Sequence, residues 1–194
     1  MTRTALVLAS TSVYRRELLS RLGLPFQTVA PGVDEVPTPH HTPLERAQNL
    51  ALAKASAVAR EHPAATVIGS DQVAVCKGEL LEKPGDAARC CEQLRWLSAA
   101  AATFHTAVAV LQGEQAQTLQ YLDTTTVYFR TLSDAEIDRY VAAERPFDCA
   151  GGFRSEGLGI SLFARVVTED PTALIGLPLI SVARALRQLG FELP

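Results

Sequence analysis

The chain has 194 residues, is 47% hydrophobic and 20% charged, and carries a formal net charge of −3. This length suits one domain over residues 1–194, folded as two lobes around a cleft. The acidic balance excludes a general polyanion-binding surface, so no nucleic acid is expected as a partner and any phosphate must be held locally. No apolar run reaches membrane-spanning length, so no membrane partner is expected. Nor is there a secretory n-region and h-region at the start. Cys76, Cys90, Cys91 and Cys149 lack C-x-x-C spacing, and two of them are adjacent. They read as reduced thiols of a cytoplasmic protein rather than a disulfide framework or zinc site.

Ala5 to Ala9 forms an apolar run that reads as a buried strand. Arg16 to Leu22 carries helical spacing and stops at Gly23. A short second strand is predicted over Phe26–Ala30. Val33-Asp34-Glu35 then leads into a loop from Pro37 to His41. Thr42-Pro43-Leu44-Glu45 has the cap, proline and glutamate of a helix start, and the helix is predicted to run to about Arg60. Ala65 to Val75 reads as a long strand interrupted at Gly69-Ser70-Asp71-Gln72. Lys77-Gly78 turns the chain, and Lys83-Pro84-Gly85-Asp86 caps a helix over Ala87–Leu97. His105–Leu111 and Leu119–Phe129 read as an antiparallel hairpin. Ser133 to Glu136 is a second capping box, opening a helix to about Ala143. A glycine-rich loop, Gly151 to Gly157, precedes a short strand at Ile160–Phe163, and a last helix runs from Leu177-Pro178 to near Gly190. Early alternation followed by hairpin pairing predicts an α/β fold with a mixed sheet.

Ser10-Thr11-Ser12 sits at the first strand-to-helix junction, where free N–H groups and the helix dipole favour an anion. Arg15 and Arg16 follow, with forked donors that suit phosphate oxygens. The alternative is a helix capped by Ser12 with two solvated arginines. Asp71 is a carboxylate inside an apolar strand. Either a strand-end turn exposes it, or it is held for metal binding or water activation. Glu35 and Asp34 read as solvated loop charges or as part of the same site. Lys54, among Ala51, Ala53 and Ala55, is either a surface lysine or part of a close-packed face. Lys83-Pro84 is either a helix-entry loop or another cation at the site. The adjacent His40 and His41 point in different directions, which argues against a metal role. No G-x-x-x-x-G-K-[ST], G-x-G-x-x-G or G-x-S-x-G occurs.

Taken in order, Ala9-Ser10-Thr11-Ser12 with Arg15-Arg16, Val33-Asp34-Glu35, Ala53-Lys54-Ala55, Gly69-Ser70-Asp71-Gln72-Val73, Lys83-Pro84 and Ser155-Glu156-Gly157 resemble the Maf family of nucleotide pyrophosphatases. The resemblance covers essentially the whole chain. It implies a mixed-sheet α/β fold with flanking helices and a central cleft, shaped like the inosine-triphosphate pyrophosphatases. It also implies hydrolysis of a nucleoside triphosphate to the monophosphate and pyrophosphate with a divalent cation, Mg2+ or Mn2+, and it allows a homodimer. On this reading Ser10, Ser12, Arg15, Arg16, Lys54 and Lys83 hold the triphosphate. Asp71 activates water directly or as a metal ligand, and Glu35 helps hold the metal.

Tyr14, Gln72 and Glu156 stand where the dTTP/UTP branch has arginine, threonine and glutamine, so the pattern resembles the branch that prefers 7-methyl-GTP. Glu156 could accept from the N1–H and amine of guanine, and Tyr14 could face the cationic methylated base. Two rival readings are a dTTP/UTP pyrophosphatase and a non-hydrolysing nucleotide-binding regulator linked to cell division. Three positions depart from the family pattern: Val13 replaces a frequent proline, and Ala99 and Ala107 replace frequent glycines.

Overall fold

The computed structural model describes residues 5–35, 41–113 and 117–194. His40 and most of the Pro37–His41 loop lie outside the described residues. In chain order the elements are β1 (Leu6–Ala9), α1 (Val13–Ser20), β2 (Gln27–Val29), α2 (Pro43–Glu61), β3 (Thr66–Cys76) and β4 (Glu79–Leu81). Then come α3 (Ala87–Leu97), β5 (Ala101–Gln112), β6 (Gln117–Phe129), α4 (Asp134–Glu144), β7 (Phe163–Val167) and α5 (Leu179–Gln188). The strands form one sheet in the order β2-β1-β3-β5-β6-β7, with β4 paired to β3. β1 is parallel to both β2 and β3, while β3–β4 and β6–β7 are antiparallel. The fold is therefore α/β with a mixed sheet, as predicted.

The chain divides into two compact units. The first holds the described residues of Met1–Gln72, His105–Asp123 and Asp170–Pro194. Its core joins Leu6 and Leu8 of β1, Leu18 and Leu19 of α1, Ile68 of β3 and Val182 and Leu186 of α5. Fully burying an aliphatic side chain of this size contributes about 1.5–3 kcal/mol. The second unit holds Val73–Phe104 and Thr124–Glu169. Phe104, Phe129, Phe153 and Phe163 pack edge to face there, with ring centroids 5.0–5.5 Å apart. That geometry sets the positive ring edge against the negative ring face. Among the described residues, no helix is long and apolar enough to cross a membrane.

The helix starts follow their local chemistry. Thr42 and Glu45 cap α2 reciprocally, as Ser133 and Glu136 cap α4, and Asp86 accepts from the Arg89 N–H at 2.9 Å. Two expectations are corrected. β3 runs unbroken through Gly69 to Gln72, because each polar side chain there finds a partner and the ladder need not open. Residues Leu158–Leu162 form a 3₁₀ turn rather than a strand, and β7 begins only at Phe163. Glycines at 157 and 159 weaken the strand, and the Glu144 carboxylate takes the Leu158 N–H at 2.7 Å. The first helix begins at Val13 with Ser12 as its N-cap, so the junction lies at Ser10–Ser12 as predicted.

Candidate active site

The site grows from the chain leaving β1. Ser10 is buried, and its Oγ accepts from the Ser12 N–H at 3.1 Å. Ser12 Oγ in turn accepts from the Arg15 N–H at 3.4 Å. These hydroxyls fix the first turn of α1 and so aim the two arginines. Arg15 is half-buried, and its Nε donates to the Gly176 carbonyl at 2.9 Å. Burial lowers the Arg15 guanidinium from its usual value, while the Asp71 and Glu35 carboxylates pull it back. Arg16 is exposed. Tyr14 is half-buried on the same helix.

Facing this turn, α2 lies close against β3. A Cβ at Gly69 would overlap the Ala51 carbonyl oxygen and stand 2.5 Å from the Ala55 nitrogen. Only glycine on the strand, with alanines on the helix, permits the approach. The consequence is Lys54. It is 5% exposed, and its Nζ lies 2.6 Å from Asp71 Oδ1 and 2.5 Å from Glu35 Oε1. The close-packed reading of the alanine-rich segment is therefore the one realised. Asp71 is 6% exposed within a continuous strand, so no turn opens it to solvent. Burial pushes its carboxyl above the usual carboxylate value. Lys54 and then Arg15 oppose that rise, and Glu35 reinforces it.

Strand alternation sorts the motif into two faces. Gly69 and Asp71 meet α2, whereas Ser70 and Gln72 serve the turn at residues 173–176. Ser70 Oγ lies 2.8 Å from the Ala107 carbonyl and 3.0 Å from that of Gly176. Gln72 Nε2 contacts Thr106 Oγ1 at 2.9 Å, the Ala173 carbonyl at 3.0 Å and the Leu174 carbonyl at 3.1 Å. Thr106 Oγ1 also donates to the Ala173 carbonyl at 3.0 Å. Gln72, expected as a specificity residue, thus has its amide nitrogen engaged by three oxygens of its own unit.

Sequence reasoning missed Ser70, Thr106, Gly176 and Asp170. Asp170 ties the same turn to α5, accepting from Thr172 Oγ1 at 2.6 Å and from the Ile180 N–H at 2.7 Å. Reading residues 66–76 as one uninterrupted strand would have separated Ser70 and Gln72 from Asp71.

Lys83 and Glu156 belong to the second unit. Lys83 is exposed beyond β4, just before the buried Pro84. Glu156 accepts from Arg154 Nε and from Ser155 Oγ, each at 3.4 Å, and Arg154 also pairs with Glu144 at 3.2 Å.

Among the described residues, no group of three or more His, Cys, Asp and Glu side chains could enclose a metal ion. The Asp71–Glu35 pair nevertheless fits a hard divalent cation. Both donors are carboxylate oxygens, and a cationic ammonium already bridges them. Mg2+ in such sites is held by one or two carboxylates, with phosphate oxygens and water completing its shell. All four cysteines are free thiols, and burial pushes Cys90 up to about 11.

The profile of the Maf-like protein family matches residues 5–189. The chain belongs to the Maf family. Among its Maf relatives, a 7-methyl-GTP pyrophosphatase of Aromatoleum aromaticum is 53% identical over 194 residues, which is 100% of both chains. One of Bordetella pertussis is 51% identical over 187 residues, 96% of this chain and 93% of the relative. One of Xanthomonas oryzae pv. oryzae is 53% identical over 189 residues, 97% and 98% of the two chains. The Maf fold seen here is similar to that of the Staphylococcus aureus Ham1 protein. The TM-score is 0.53 at 15% identity, covering 95% of this chain and 100% of that one.

Proposed function

We propose that this protein hydrolyses 7-methyl-GTP to 7-methyl-GMP and pyrophosphate with Mg2+ or Mn2+, removing a modified nucleotide in the cytoplasm. Three relatives of that name, each about half identical along the full chain, support the substrate. The observation that carries the chemistry is the Glu35–Lys54–Asp71 cluster, in which buried Lys54 joins buried Asp71 to exposed Glu35, in the same unit as Arg15 and the start of α1.

In the reaction we assign, Asp71 takes a proton from water as the water oxygen bonds to the α-phosphorus. The bond from that phosphorus to the α,β-bridging oxygen breaks, and its electrons leave with pyrophosphate. A buried carboxylate whose proton affinity is raised is a better base than an exposed one. Lys54 opposes the rise that burial causes and so favours the ionised form of that carboxylate. Arg15, Arg16 and Lys83 neutralise charge on the transferring and leaving phosphoryl groups, and the Ser10 and Ser12 hydroxyls donate to phosphate oxygens. Glu35 and Asp71 would hold the divalent cation, which supplies further neutralisation of phosphate charge when bound. Base recognition is assigned to Tyr14 and Glu156, through cation–π stacking and acceptance of two guanine N–H groups.

The test is pyrophosphate release by purified protein from 7-methyl-GTP, GTP, dTTP, UTP and CTP, with Mg2+, with Mn2+ and with chelator. Selective, metal-dependent turnover of 7-methyl-GTP is expected. Preference for dTTP or UTP would overturn the substrate, and tight nucleotide binding without release would overturn the enzymatic reading. Glu156→Gln with unchanged preference for the methylated base would remove Glu156 from recognition.

A further inference from the structure

We infer that Ser70 is a positioning residue, holding the Gly176 carbonyl so that this carbonyl sets the Arg15 guanidinium for phosphate. The inference rests on the phosphate-binding role assigned to Arg15 above. Ser70 is fully buried on β3, on the strand face opposite Asp71. Its single hydroxyl proton serves two carbonyls, Ala107 at 2.8 Å and Gly176 at 3.0 Å. The Gly176 oxygen has two lone pairs, and here it meets both Ser70 Oγ and Arg15 Nε.

Arg15 therefore reaches the interior of its unit through one carbonyl, and Ser70 pins that carbonyl to β3. With Nε spent on Gly176, the two terminal nitrogens of the guanidinium are left to form the forked face that phosphate oxygens take. Gly176 has φ +123°, a conformation that side-chain-bearing residues rarely adopt, and a Cβ there would lie 3.5 Å from Arg15 Nε. Gln72 and Thr106 hold the carbonyls of Ala173 and Leu174 in the same turn, so its other end is also fixed to the sheet. The residues flanking the proposed base on β3 thus act on an arginine 55 or more positions earlier in the chain, through a turn about a hundred positions later.

The experiment is a double-mutant cycle on binding of inorganic pyrophosphate with Mg2+, read by calorimetry. It uses the full chain as wild type, Ser70→Ala, Arg15→Ala and both together. Ser70→Ala alone is expected to weaken pyrophosphate roughly 10-fold, within the range that misplacement of a binding group produces. In the Arg15→Ala background the same change is expected to have no further effect, because Ser70 acts through Arg15. Additive losses would overturn the inference and leave Ser70 a structural residue, and wild type that binds no pyrophosphate would overturn it as well. Ser70→Cys, a weaker donor at the same position, is expected to fall between wild type and Ser70→Ala, and it takes the place of Ser70→Ala in the cycle if that variant fails to fold. Turnover of 7-methyl-GTP by wild type is scored separately, so failure of the proposed reaction is distinguishable from failure of the Ser70 cycle.

Discussion

At the scale of single residues, Asp71 and Ala99 show two ways in which a side chain works against its surroundings. Burial raises the Asp71 carboxyl, so the folded chain keeps that proton to higher pH than the unfolded chain does. The stability Asp71 contributes is therefore lost as pH rises through its folded value. The same shift moves the acid limb of kcat/KM above the ordinary carboxylate range, because the base must be ionised. Asp71→Asn is expected to fold, as judged by circular dichroism, and to lose about 10²–10⁴-fold in turnover. Ala99 has φ +57°, the left-handed region where a Cβ is crowded. The sequence departure at this position thus falls where glycine would be relaxed, whereas Ala107 sits in a regular strand and needs no glycine. Ala99→Gly is expected to raise stability by about 1 kcal/mol, or roughly 2–4 °C in Tm, by differential scanning calorimetry.

At the scale of elements, what could be read in advance was what neighbours in sequence decide. The caps at Thr42, Asp86 and Ser133 use oxygens three residues from their N–H partners, so α2, α3 and α4 were legible. The Gly69–Gln72 stretch was not. Its polar residues looked like a break, because the Ala173, Leu174 and Gly176 carbonyls that satisfy them come from far along the chain. The pairing of Lys54 with Asp71 was legible only as two separate candidates. What joins them is the close approach of helix to strand at Gly69. The α4 cap also carries a pH dependence. Glu136 is held down at about 2 by the Ser133 N–H, then by the Ser133 hydroxyl, then by Arg130. Because its folded value is depressed, the stability it contributes is complete above the ordinary glutamate value and is lost as pH falls toward 2. Urea midpoints measured from pH 5 down to pH 2.5 are expected to fall less steeply for Glu136→Gln than for wild type.

For the molecule as a whole, β3, β5 and β6 each supply residues to both units. Each of these strands passes without a break in the chain from one unit to the other, so melting one unit must fray strands that the other uses. Equilibrium unfolding is expected to be a single transition. Trp96, the sole tryptophan, lies on α3 in the second unit and reports there by fluorescence, while far-UV ellipticity reports on the entire chain. The two urea curves are expected to coincide, and a displaced fluorescence curve would show that the units melt separately.

The two-faced use of β3 has a genetic consequence. A missense change among residues 69–72 alters the contacts of one side chain, which lie on one side of the strand. Deleting or inserting one residue there would reverse the facing of every side chain beyond it. The carboxylate would then point at backbone oxygens that repel it, and the hydroxyl and amide would point at α2. Along this stretch a change of letter strikes one face of the strand, whereas a change of count strikes both.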